Sequence, residues 1–301
     1  MFDPAQLAAL AAVHRRGAFD LAAAELGVTQ SAISQRLRAL EERVGTLLIR
    51  RGSPSVATEA GQRLIRHHDE VALLAGQVAQ EIGTLAQGHA TLRIAVNADS
   101  LATWVIPALA AVDGFLFDLV IDDQDFSQDW LRRGEVAAAV TAHPGPLQGC
   151  DTIPLGALRY RATASSAFAA RWFAGGVTEA ALACAPALVF SEKDRLQNLW
   201  IAARGLGLRA GFHAHRLASS QGFVDACLAG LGWGMNPEVL VADHLAAGRL
   251  VELIPDTALD TPLHWQFARL TAPALAPLTR AMRAAAARVL VPPSAPPSPR
   301  L

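Results

Sequence analysis

The side chains best equipped for chemistry in this 301-residue chain form two groups of opposite charge. In the first, Ser31, Ser34, Gln35 and Arg38 recur at spacings of three and four, which places them on one face of a helix with Arg36 beside them. Thr29 is suited to cap that helix and Gln30 opens it. Hydroxyls and free N–H groups at a helix start bind phosphate oxygens. Gln and Arg make the paired hydrogen bonds that distinguish adenine and guanine edges in a major groove. The opposite face carries Ile33, Leu37 and Leu40, a core stripe. The alternative is that the polar side is merely solvated.

The second group is acidic: Asp99, Asp122, Asp123 and Asp125, with Asp194 farther along. Asn97, Asp99 and Ser100 follow an apolar β-branched run, Asp122 and Asp123 follow a second, Thr141 ends a third, and Asp194 follows a fourth. Ligands of α/β sheets bind outside the carboxyl ends of strands. Carboxylates gathered there repel one another, and a cationic ligand relieves the repulsion. Alternatively, Asp99 is only a helix cap and residues 122–125 lie on a solvated loop.

Nothing comparable points to catalysis. Cys150, Cys184 and Cys227 are odd in number and lack metal-ligand spacing, so they are expected as free thiols in a reducing cytosol. None stands in a nucleophile-elbow or papain-like context with His143, His213, His215 or His264. No glycine-rich phosphate loop and no metal-ligand run occurs. His213 and His215 share a face of an expected strand, but satisfied or solvated histidines explain them better; the adjacent His67 and His68 face different ways. No catalytic residue, metal site or cofactor is expected.

The rest of the chain must position these groups. Its length suits two or three globular units. A hydrophobic fraction of 52% supplies their cores, and a net charge of −1 conceals any basic patch. The apolar run 5–13 is preceded by Asp3 and followed by Arg15 and Arg16, the reverse of a secretion leader. No stretch of about 20 residues is free of charges and breakers, so no membrane partner is expected and the location is expected to be cytoplasmic.

Asp3-Pro4-Ala5-Gln6 reads as a helix start, with Asp3 as cap, Pro4 at the first position and Gln6 reaching back. Leu7, Leu10 and Ala11 form its stripe, which ends near Gly17. A short helix over 19–26 should turn Leu21, Ala22 and Leu26 inward, and Gly27-Val28 makes the turn into the Thr29 helix. Strands over 46–49 and 56–58 flank Arg50-Arg51-Gly52-Ser53-Pro54-Ser55, a hairpin whose basic tip would let Arg50 and Arg51 lie along a sugar-phosphate backbone. Residues 30–51 hold five arginines against two glutamates.

A proline-free stretch over 58–87 repeats Leu64, Val71, Val78 and Leu85 every seven residues, widened by Leu74 and Ile82. So narrow a seam calls for a partner helix, although packing against its own chain is the alternative. Beyond Thr91, strands over 92–96, 119–122 and 136–141 alternate with helices over 100–111 and 127–134, and a second set runs from 187 to 236. The class is α/β. Stretches 158–165 and 263–270 are placed to cross between two lobes, and residues 292–301 are proline- and serine-rich and expected to be disordered.

Ala22-Ala23-Ala24-Glu25-Leu26, Val28-Thr29-Gln30-Ser31-Ala32-Ile33-Ser34-Gln35-Arg36-Leu37, Leu40-Glu41-Glu42 and Thr58-Glu59-Ala60-Gly61 together resemble the LysR-type transcriptional regulators. The resemblance implies a winged helix-turn-helix DNA-binding domain (1–58), a dimerising linker helix (59–88) and an effector-binding domain (89–291). That last domain would have two lobes like those of periplasmic binding proteins (I about 91–163 and 267–290, II about 164–266), with the ligand between them. Partners would be double-stranded operator DNA with two half-sites, a small-molecule effector, and further copies in a homodimer or homotetramer. Asn97-Ala98-Asp99-Ser100-Leu101-Ala102-Thr103-Trp104, Arg132-Arg133-Gly134-Glu135, Asp194-Arg195-Leu196-Gln197 and Gly230-Leu231-Gly232-Trp233-Gly234-Met235 resemble the lysine- and arginine-responsive ArgP/LysG branch, which controls basic amino-acid export. The expected effector is therefore L-lysine or L-arginine, at Asn97, Asp99, Ser100, Trp104, Asp122, Asp123, Thr141 and Asp194. Asp123 or Asp99 would take a cation, and Ser100 with nearby N–H groups the carboxylate. An aromatic or sulfur metabolite, or an enzyme carrying a DNA-binding module, are the rival readings.

Overall fold

The computed structural model describes residues 2–81, 90–207 and 211–292. Helix α1 (Pro4–Arg16) begins as its sequence requires: Asp3 Oδ1 accepts from Ala5 N at 2.7 Å, and Gly17 ends the helix at φ 70°. The return bond from Gln6 is not made, and Gln6 Oε1 has no partner. Helix α2 (Phe19–Glu25) and helix α3 (Gln30–Val44) pack on α1 around buried Leu10, Ala22, Ile33, Leu37 and Leu40. Thr29 Oγ1 caps α3 by accepting from Ala32 N at 3.2 Å. Leu21, expected inside, is 52% exposed. Ala22, Ala23 and Leu26 form the inward stripe of so short a helix, which leaves the neighbouring Leu21 outside.

The hairpin is shorter than the sequence suggests. Strand β1 (Ile49–Arg50) pairs antiparallel with strand β2 (Val56–Ala57), while residues 46–48 are not strand. Glu41 Oε1 accepts from Leu48 N at 2.8 Å and Ile49 N at 3.3 Å, so a side chain takes the donors that open the hairpin. Helix α4 (Glu59–Glu81) follows. Ile65 joins the N-terminal core and Leu73 the core of the next region, whereas Val71 and Val78 are about half exposed. The apolar positions of α4 thus divide between packing on its own chain and an outward stripe. Ile82 and Leu85 lie outside the described residues, as does the tail after Pro292.

The remaining chain forms two lobes threaded by two long strands. Strand β3 (Ala90–Val96) leads into a helical stretch made of α5 (Ala98–Ser100), a π turn (Leu101–Val105) and α6 (Ile106–Ala110). Strand β4 (Phe115–Ile121), helix α7 (Ser127–Arg133) and strand β5 (Ala138–Thr141) complete that unit, with β3 parallel to both strands. Strand β6 (Cys150–Ser165) crosses to the second lobe, where α8 (Ser166–Trp172), α9 (Glu179–Cys184), β7 (Ala187–Val189), α10 (Leu196–Ala203), β8 (Ala214–Arg216), α11 (Ser220–Leu228), β9 (Gly234–Pro237), α12 (Glu238–Ala246) and β10 (Leu250–Glu252) follow. Strand β11 (Leu259–Ala268) returns, and helix α13 (Ala276–Val289) closes the described chain.

Both crossing strands begin earlier than the sequence indicates, and they pair antiparallel along ten residues of β11. β11 also pairs with β5 in the first lobe, while β9 and β10 pair with the far end of β6 in the second. The register slips between Leu263 and His264, opposite Gly156 at φ 126°. A Cβ there would stand 2.9 Å from Leu290 Cβ and from the Val291 carbonyl, so only glycine fits this crossing. Among the described residues no helix is long and apolar enough to span a membrane.

Candidate functional site

Two regions hold the chemistry. On the N-terminal head, Thr29, Gln30, Ser31, Gln35, Arg38, Arg50 and Arg51 are exposed, while Ser34 and Arg36 are half-buried. Burial of Ile33, Leu37 and Leu40 turns this face outward. The Arg51 guanidinium lies 5.0 Å from the Phe19 ring centre, which steadies the hairpin tip against α2 and leaves its N–H edges available. His14 Nδ1 accepts from Ala57 N at 3.3 Å, tying α1 to the hairpin; burial, with Arg93 nearby, lowers its pKa and favours that neutral acceptor form.

The second region is a cavity of about 460 Å³ between the lobes. Five carboxylates line it, Asp99, Asp122, Asp123, Glu192 and Asp194, with the ammonium of Lys193 and the amides of Asn97 and Asn236. Asp99 ties the lobes together: Ser220 Oγ at the start of α11 donates to its Oδ1 at 2.5 Å, and the Tyr160 hydroxyl on β6 to its Oδ2 at 2.8 Å. Burial raises its pKa against those two bonds, and Asp194 adds to the rise. Burial and the Asp99 charge likewise hold the Tyr160 hydroxyl well above its ordinary value, so it stays a donor.

Asp122 is satisfied. Its Oδ1 takes Lys193 Nζ at 2.7 Å and Asp123 N at 2.8 Å, and its Oδ2 takes Trp130 Nε1 at 2.9 Å. Burial works against ionisation, but these bonds and the lysine charge outweigh it and hold the group below the usual carboxylate range. Asp194 folds its own loop, accepting from Phe190 N at 2.8 Å and Leu196 N at 3.0 Å. Asp123 differs. Burial pushes it up to about 6, and the charges of Asp125, Asp194 and Asp122 add to this, against one bond from Asp125 N at 2.9 Å. Asn97 and Asn236 are 3% and 0% exposed, and the Oδ1 atom of each has no protein partner.

Of the residues the sequence assigned to this cleft, Asn97, Asp99, Asp122, Asp123 and Asp194 line it together. Ser100, Trp104 and Thr141 are fully buried and do not line it; Thr141 Oγ1 donates to the Gln124 carbonyl at 3.0 Å. Asp125 is exposed and also stays outside, so the acidic group is less concentrated than its sequence implied.

Helix α7 joins the cleft to α4. At its start Ser127 Oγ donates to the Asp123 carbonyl at 3.0 Å. Midway, Trp130, already bonded to Asp122, stacks under Arg133 at 4.8 Å. At its end Arg66 Nη2 on α4 donates to the Arg133 carbonyl at 2.8 Å, and a Cβ on Gly134 would overlap the Arg66 guanidinium.

Residues 4–62 match the bacterial regulatory helix-turn-helix protein family of the LysR type, and residues 86–290 match the LysR substrate binding domain. The chain belongs to the LysR family. It is 45% identical over 296 residues to the HTH-type transcriptional regulator ArgP of Pseudomonas aeruginosa, covering 97% of this chain and 98% of that protein. The crystal structure of ArgP from Mycobacterium tuberculosis superposes with a TM-score of 0.81 at 42% identity, covering 97% and 99% of the two chains. Full-length LysG from Corynebacterium glutamicum, solved with bound effector Arg, gives 0.71 at 36% identity over 96% and 100%.

As a LysR-family protein, then, the chain is a transcription regulator whose helix-turn-helix binds DNA. The sequence reading missed Glu192, Lys193 and Asn236 in the lining, and Tyr160, which braces Asp99 from behind. Two carried a usable signal, because Lys193 is the only lysine of the chain and Tyr160 its only tyrosine. A residue type used once, beside a cluster of opposite charge, marks a position worth testing.

Proposed function

We propose that this regulator responds to a basic amino acid, L-arginine or L-lysine, bound between its lobes, and controls genes for basic amino-acid export or metabolism. The observation that carries the reading is Asp123, a cleft carboxylate whose surroundings leave its charge under-compensated. A ligand cation supplies what is missing, through a charge-assisted hydrogen bond that a guanidinium fork can double. The two buried amide oxygens of Asn97 and Asn236 accept further N–H donors. The arginine bound to the Corynebacterium glutamicum relative points the same way.

The chain acts by binding and not by catalysis, in the cytoplasm, on operators with two half-sites. Val71 and Val78 would meet their counterparts on a second α4 and set two heads at the half-site spacing. A ligand shifts such a regulator only by its differential affinity for two arrangements. Helix α7, bonded to the cleft at one end and to α4 at the other, is the element that carries a change at Asp123 to the heads.

Titration calorimetry on the full chain tests the reading. L-arginine or L-lysine should bind, and Asp123→Asn should weaken it about 10- to 100-fold, as expected for a hydrogen bond to a charged group, while operator binding persists. No heat from either amino acid overturns the effector class. Equal affinity in wild type and variant removes Asp123 from the site.

A further inference from the structure

We propose that Lys193 receives the α-carboxylate of the ligand and thereby makes the cleft select amino acids over amines that carry the same side-chain cation. This rests on the basic amino-acid reading above and adds the half of the ligand that reading leaves without a partner.

A basic amino acid brings two cationic groups and one anionic group into the cavity. Acceptors for the cations are plentiful: Asp123, and the amide oxygens of Asn97 and Asn236. The carboxylate meets the opposite situation. Five carboxylates line the same cavity, and an anion moved among them without a partner is strongly disfavoured by desolvation and by repulsion. The sequence offered Ser100 for this task, but Ser100 is fully buried and does not reach the cavity. Among the described lining residues, Lys193 is the one cation.

Lys193 is held where it can act. Its N–H donates to Ser191 Oγ at 3.1 Å, and Asp194 fixes both ends of the same loop through Phe190 N and Leu196 N. The ammonium reaches across from the second lobe to Asp122 in the first at 2.7 Å, and it lies 4.4 Å from the Phe126 ring centre. An ammonium has three donors, and Asp122 occupies one. The side chain is 46% exposed, so the remaining donors are open to an incoming group. Asp122, anchored in turn by Trp130, acts as the post that keeps the ammonium at the junction of the lobes. A carboxylate accepted there touches a second-lobe cation while the amino acid's own cation touches Asp123 of the first lobe. One ligand then spans both lobes through groups of opposite charge, which an amine lacking the carboxylate cannot do.

The opposite role for Lys193 is a tethered cation that blocks the acidic wall and must be displaced. The two roles predict opposite signs. Calorimetry on the full chain with L-arginine and with agmatine, which is arginine without its carboxylate, separates them. Wild type should prefer L-arginine. Lys193→Gln should weaken L-arginine about tenfold or more and leave agmatine no weaker, since losing a cation from an acidic cleft favours a dicationic ligand, so that the preference collapses. Lys193→Arg, which keeps the charge, should restore most of it. Agmatine binding by Lys193→Gln doubles as proof that the cleft is intact. An unchanged arginine-to-agmatine ratio in Lys193→Gln overturns the proposal, and so does tighter arginine binding, which identifies the tethered competitor. If wild type binds neither L-arginine nor L-lysine, the basic amino-acid reading itself falls and this assignment falls with it.

Discussion

The residues proposed to read DNA all come from one short stretch, Thr29 through Arg51, and Arg38, Arg50 and Arg51 among them are exposed to water. The ligand cleft gathers residues 97–99, 121–124, 190–196, 220–223 and 235–237, and answers most of its charges internally. Asp122 has Lys193, Asp99 has Tyr160 and Ser220, and Asp194 has two backbone N–H groups. The difference follows from the ligands. A polyanionic duplex brings a high charge density, so exposed cations suffice and gain from counterion release. A single metabolite must be recognised group by group, and Asp123, the carboxylate left shortest of partners, is the group proposed to meet it.

The largest effect should come from breaking the link between the two regions. Val71→Asp combined with Val78→Asp puts charges on the outward stripe of α4 without touching Ile65 or Leu73, which pack within the chain. The expected result is loss of the dimer, and binding to a two-half-site operator weaker by about a hundredfold or more, because a second linked contact contributes by effective concentration. Light scattering and a gel-shift titration check both. An unchanged oligomer would show that α4 pairs elsewhere, or not at all.

A smaller effect sharpens the reading face. Arg38→Ala or Gln35→Ala should cost about 1–3 kcal/mol on the cognate site and relax its preference over other sequences. Arg51→Ala should weaken all duplexes alike and flatten the slope of log affinity against log salt by about one unit, as loss of one phosphate contact requires. Measuring specific and non-specific duplexes at several salt concentrations decides it. If Arg51→Ala changes sequence preference while Arg38→Ala does not, their roles are exchanged.

The same contrast explains what was legible in the sequence. The head was readable almost throughout, because caps and a 3.6-residue period act locally: Thr29, Gly45 and the stripe Ile33, Leu37, Leu40 each stand where chain chemistry puts them. It failed at Leu21 and at residues 46–48, where packing of the second helix and the Glu41 side chain decided the outcome. In the cleft, strand ends were readable, hence Asn97, Asp99, Asp122, Asp123 and Asp194. Ser100 was misplaced because one residue along a helix turns about 100°, so that Asp99 faces the cavity while Ser100 faces the core. Asn236 became visible only with topology, since β9 must pair with β6 before it reaches the site.

The smallest expected effect is a proton. In the empty cleft Asp123 has its pKa pushed up to about 6, by burial first and then by Asp125, Asp194 and Asp122. The folded-state value is above the unfolded one, near 4. Between those values the native chain holds a proton the unfolded chain has released. The stabilisation from this group is therefore complete below about pH 4 and fades as pH rises through about 6. Ligand binding has the opposite sign, because a cation favours the ionised carboxylate. Affinity for L-arginine should climb from pH 5 to 7 and level off by pH 8. At pH 6, binding should release up to about half a proton, the share bound at a group sitting at its pKa. Calorimetry at pH 6 in two buffers of different ionisation heat measures that proton. It should vanish at pH 8, and in Asp123→Asn at either pH. The residues assigned to the reading face include no histidine and no carboxylate, so DNA affinity without ligand should be flat over the same range. Equal proton release from wild type and Asp123→Asn at pH 6 would move the under-compensated charge to another group, with Asp99, also raised by burial, the next to test.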